Sequence, residues 1–85
     1  MMSVKDAAGR AVEYFRELYG SQFGNLMVEE VERDDNCWYI TLGYDLSSVL
    51  AQFGGKAPRG FKVFKIDAST GEVLSMKIRE VASVE

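Results

Sequence analysis

Between residues 37 and 44 every second side chain is large and apolar, Trp38, Ile40, Leu42 and Tyr44, and the side chains between them are Cys37, Tyr39, Thr41 and Gly43. A period of two sustained over such a run predicts a strand with one covered face, because successive side chains of a strand point to opposite sides. The covered face requires a second layer. The chain supplies one upstream, where Val4, Ala7, Ala8, Ala11, Val12, Phe15, Leu18 and Tyr19 recur at helical spacing, with Lys5, Asp6, Arg10, Glu13, Arg16 and Glu17 mostly on the opposite side. Ser3, with Asp6 three residues later, forms a weak capping box and Gly20 a stop, which predicts a helix over 4–19.

Three more strands follow from the pattern. Residues 26–33 alternate until Glu29-Glu30 breaks the period; Val28 and Val31 cannot share a face of a regular strand, so a bulge or an exposed edge position is expected there. Asp34-Asp35-Asn36 is a turn signal leading into the Trp38 strand. Residues 61–67 and 72–81 read as an antiparallel pair, joined through Ala68-Ser69-Thr70-Gly71 with Gly71 at a left-handed position. The connector over 45–60 is too long to be structureless in so small a domain, and a short helix is expected in it, capped by Asp45 or Ser47, running through Val49, Leu50 and Phe53, and ended by Gly54-Gly55. The fold class is therefore α+β: a single domain over 1–85, with an N-terminal helix packed on a four-stranded antiparallel sheet.

At 85 residues, with 47% apolar and 27% charged side chains, the chain has the balance of an ordinary globular protein. The one cysteine, Cys37, cannot form an internal bridge, and no basic segment followed by an apolar run opens the chain. A cytoplasmic setting is the expectation, with no membrane partner, since no run approaches the ~20 apolar residues of a span. The net charge of −3 argues against a general nucleic-acid binder. That charge is unevenly divided: residues 1–50 carry four basic and nine acidic side chains, residues 51–85 six and four.

If Trp38, Ile40, Leu42 and Tyr44 face the helix together with Phe64, Ile66, Leu74, Met76 and Ile78, then Tyr39, Phe61, Val63, Val73 and Val81 remain on the other face among Thr41, Lys65, Ser75, Lys77 and Arg79. A sheet covered on one side ordinarily reads polar on the other. The leftover set Tyr39, Phe61, Val63 and Val73 is therefore the candidate interaction face, for a protein partner or for a second copy of the chain. The run 61–66 carries apolar side chains of both parities, so a slip of one residue would exchange the faces. The alternative is a small-ligand pocket between helix and sheet, roofed by the connector and lined by Trp38, Tyr44 and Phe53.

The chemistry points away from catalysis. Without histidine the chain lacks the commonest neutral-pH general base, and one cysteine excludes a multi-cysteine metal site. Cys37 has no imidazole to activate it. Glu29, Glu30, Glu32, Asp34 and Asp35 crowd one hairpin without the spacing of a calcium loop, and read as a solvated edge. Gly54-Gly55-Lys56 and Gly60 lack the pattern of a phosphate loop. Lys62, Lys65, Lys77 and Arg79 could form a basic stripe around Phe61 of the kind single-stranded nucleic acid uses, but solvated strand lysines are the plainer reading. No catalytic residue, metal ligand or cofactor is expected.

Residues 63–74, Val-Phe-Lys-Ile-Asp-Ala-Ser-Thr-Gly-Glu-Val-Leu, resemble the closing hairpin of PepSY domains: a strand, an Asp, a Thr-Gly-Glu-Val turn and a second strand. The preceding helix and the Trp38 strand fit a similar, broadly cystatin-like, helix-on-meander layout. The resemblance covers about twelve residues and implies a noncatalytic module, of a kind often found in secreted or membrane-attached proteins, that restrains or modulates peptidases or other partners.

Overall fold

The computed structural model describes residues 2–46 and 59–79. Helix α1 covers Val4–Tyr19 and is followed by β1 (Gly24–Asp34), β2 (Cys37–Asp45), β3 (Arg59–Asp67) and β4 (Val73–Ile78). The strands form one sheet in the order β1-β2-β3-β4, and every neighbouring pair is antiparallel. This is the expected α+β layout. The expected short helix in the connector lies outside the described residues, and so do Phe53 and Val81.

The helix begins and ends where its caps place it. Ser3 Oγ accepts the Asp6 N–H at 3.1 Å, and Gly20, at φ 62°, donates its own N–H to the Arg16 carbonyl at 2.7 Å. Ala7, Ala11 and Phe15 form the buried stripe. Two methyl side chains bring the helix close to the sheet, and Phe15 fills the wider space beyond them. They meet Ile40, Leu42, Tyr44, Phe64 and Ile66, all buried. Each large side chain so removed from water contributes on the order of 1.5–3 kcal/mol.

The break in the β1 pattern is a bulge. Val28 lies opposite Leu42 and Val31 opposite Ile40, and the register shifts between Val28 and Glu30, so Glu29 is the extra residue. The shift brings both valines to the helix side, where they remain partly exposed because β1 is an edge strand.

The β3–β4 turn is held by its own side chains. Asp67 Oδ1 accepts the N–H groups of Ser69 and Thr70 at 2.8 and 3.1 Å, Thr70 Oγ1 accepts the Glu72 N–H at 3.2 Å, and Gly71 takes φ 79°. The turn also docks on the rest of the fold. Met2 donates to the Ala68 carbonyl at 2.8 Å, Ala68 to the Asn36 carbonyl at 2.7 Å, and Arg10 Nε to the Gly71 carbonyl at 3.2 Å.

The last strand corrects two expectations. Val73 does not belong to the outer face: the register shifts beside the turn, Val73 pairs with Ile66 and packs against the core, and Leu74 becomes the displaced, exposed residue. Met76 packs on the core as expected. Ile78 has the inner parity, opposite Lys62, yet is 76% exposed.

Candidate interaction face of the sheet

Tyr39, Thr41 and Gly43 alternate with the core residues of β2, and their pairing partners on β3 are Lys65, Val63 and Phe61. These six define the middle of the face turned away from the helix. Thr41 and Gly43 are buried all the same. What covers them is a pair of arginines lying across the sheet.

Arg59 enters β3 at its first residue. Its Nη1 donates to Asp45 Oδ1 at 2.8 Å and to the Asn25 carbonyl at 3.3 Å, and its Nη2 to Glu29 Oε2 at 2.8 Å. Asn25 Nδ2 in turn donates to Asp45 Oδ2 at 2.6 Å. A Cβ on Gly43 would stand 2.5 Å from Glu29 Oε2 and 2.8 Å from Arg59 Nη2, so the bare backbone of Gly43 is what lets this bridge cross β2. Arg79, just past β4, reaches further: its Nη1 donates to Thr41 Oγ1 at 3.0 Å and to Glu30 on β1. The Arg79 hydrogen bond and charge hold the Glu30 carboxyl below its ordinary pKa. Asp45 is lowered chiefly by the Asn25 hydrogen bond and then by that from Arg59. The Arg79–Glu30 pair is exposed to solvent and the Arg59 pairs partly so, and their effect is to fix positions more than to stabilise.

Among the residues expected to form the interaction face, Tyr39, Phe61 and Val63 lie together on this side, half-buried. Lys65 rests its ammonium 5.9 Å from the centroid of the Tyr39 ring. Val73 is not with them, for the reason given above. The expected basic stripe is broken at two places. Lys62 has the inner parity, with its ammonium 5.6 Å from the ring centroids of both Tyr19 and Tyr44, and Arg79 is engaged by Glu30.

Trp38 and Tyr44, expected to line one pocket, sit at opposite ends of β2 with the fully buried Ile40 and Leu42 between them. Trp38 is fixed by an indole N–H donated to the Met2 carbonyl at 3.1 Å and by the Arg33 guanidinium 4.9 Å from its ring centroid. Tyr44 belongs instead to an aromatic group with Phe15 and Phe23, at centroid separations of 5.1 and 5.0 Å. It also borders a groove of about 550 Å³, shared with Leu46, Phe61, Lys62 and Ile78, in which Trp38 has no part.

The sequence reading missed the two arginine bridges. The signal available was Gly43 inside an otherwise regular strand, which marks a close approach, next to a bulge that frees Glu29. The bridges also order the charge on the face. The carboxylates Glu29, Glu30, Glu32 and Asp34 line its β1 margin; Arg59, Lys65, Lys77 and Arg79 all come from the β3–β4 side, and the two arginines reach from there across β2 to Glu29 and Glu30.

Among the described residues no three carboxylate or cysteine side chains converge on a common point, and no helix is long and apolar enough to cross a membrane. Comparisons with protein-family models, with curated proteins and with solved structures find no match to the chain.

Proposed function

We propose that this chain is a noncatalytic protein-interaction module and that the outer face of the sheet is its contact surface. One observation carries the reading. Tyr39, Val63 and Phe61 stay half-exposed in the middle of the face, while tethered charges stand around them. An aromatic and aliphatic centre with a charged rim is the composition of a protein interface. The likeness of the closing hairpin to that of PepSY domains points the same way, and the free thiol of Cys37 suits a reducing, cytoplasmic setting.

A photo-crosslinking experiment in the producing cell tests the reading. With p-benzoylphenylalanine in place of Tyr39 a discrete covalent protein adduct is expected on irradiation, and in place of the exposed helix residue Glu17 none. The absence of any adduct at position 39 would overturn the proposal.

A further inference from the structure

We infer that the outer face pairs with the same face of a second copy of this chain, about a two-fold axis that runs parallel to the strands between the two sheets. The inference rests on the interaction reading above and names its partner.

The argument is one of charge and symmetry. Four carboxylates stand at the β1 margin of the face, and its β3–β4 side supplies four cations, of which the two arginines extend to that margin and Lys65 and Lys77 do not. Within the copy Arg59 pairs with Glu29 and with Asp45 of β2, and Arg79 pairs with Glu30. Glu32 and Asp34 on one side, and Lys65 and Lys77 on the other, form no ion pair among the described residues.

Two sheets can meet face to face about a two-fold in the plane between them in two limiting ways. An axis across the strands sets β1 over β1 and β4 over β4, juxtaposing like charges at both margins. An axis along the strands sets β1 of each copy over β4 of the other, so that the acidic margin meets the basic one twice. Like-charge juxtaposition is costly and opposite charge fixes orientation, so the second arrangement is selected. It also places β2 over β3, which brings Tyr39, Val63 and Phe61 of both copies to the axis at the ~10 Å spacing of packed sheets. A face acidic along one margin and basic along the other is its own complement under this operation. A different protein would have to reproduce that polarity independently.

Solution mass, measured by light scattering and sedimentation on the full chain at high micromolar concentration, tests the inference. The wild type is expected at twice the chain mass, with an association weakened by added salt. Two charge-reversed variants, neither replacing a residue of the arginine bridges, decide the orientation: Glu32→Lys with Asp34→Lys, and Lys65→Glu with Lys77→Glu. Each alone should dimerise at least tenfold more weakly, with its circular dichroism unchanged. An equimolar mixture should recover the dimer, since the reversed, now basic β1 margin of one variant then faces the reversed, now acidic β3–β4 side of the other, and the two unreversed sides face each other. A monomeric wild type, or variants that associate as the wild type does, would overturn the inference, as would a mixture that stays monomeric. The crosslink at position 39 separates the two claims: an adduct at twice the chain mass supports both, and an adduct with a different protein keeps the interaction module while overturning the second copy as its partner.

Discussion

Gly60 and Gly43 are both strand glycines crossed by a neighbour's side chain, and they differ in what that neighbour can do. A Cβ on Gly60 would stand 2.7 and 2.8 Å from atoms of the Tyr44 ring and 2.9 Å from Leu46 Cδ2. The ring cannot retreat, because Phe15 and Phe23 pack against it. The groups above Gly43 are the Glu29 side chain from its Cγ outward and the end of Arg59, flexible chains that can swing into solvent. Gly60→Ala is therefore expected to destabilise the fold by about 1–3 kcal/mol, the usual cost of overpacking, read as a lower urea midpoint. Gly43→Ala should cost less stability and chiefly dislodge the Arg59 bridge. Equal urea midpoints for wild type and Gly60→Ala would show that the ring is free to move. In the sequence a strand glycine marks a close approach without naming what approaches; the fold supplies the answer, setting Tyr44 beside Gly60 and the Glu29–Arg59 bridge over Gly43.

At the scale of elements, the helix was the most legible part of the chain, because its pattern and both of its caps agree with one another. It carries one internal inconsistency, Gly9, whose missing Cβ would meet nothing within 4 Å. Gly9→Ala is expected to stabilise the protein by roughly 0.5–1 kcal/mol, since alanine loses less conformational freedom in a helix interior. Thermal unfolding would show this as a rise of a few degrees, and an unchanged midpoint would mean that the helix is already fixed by its packing. The strands were legible to different degrees for a physical reason. The β1 bulge could be read because Val28 and Val31 are an odd distance apart yet both apolar. The displaced Leu74 left no such mark: Leu74, Met76 and Ile78 alternate as a regular strand would, and only the turn geometry, which pairs Val73 with Ile66, sets the register otherwise. Three of the four residues expected on the outer face of the sheet therefore lie on it, and the fourth is taken off it by a shift that side-chain pattern does not encode.

At the scale of the whole molecule, the arginine bridges tie the sheet together across its width, and their carboxylate ends give the protein a pH dependence whose sign follows from the shifts. Glu30 is held below its ordinary pKa by Arg79, and Asp45 by Asn25 and Arg59. Each group binds a proton more readily in the unfolded chain than in the folded one. The stability it contributes is present above the ordinary carboxylate range and is lost as the pH falls through the depressed folded-state value. Protonation of the carboxylates also leaves the cations of the chain uncompensated, which adds repulsion. The urea midpoint is therefore expected to fall between about pH 6 and about pH 3. Arg79→Gln separates the local contribution from the general one, because without the guanidinium Glu30 titrates at nearly the same pH in both states. Measured at one protein concentration, the variant should be less stable than the wild type near neutrality and should lose less on acidification. Parallel pH profiles for the two proteins would show that the Arg79 bridge positions the face without contributing to its stability.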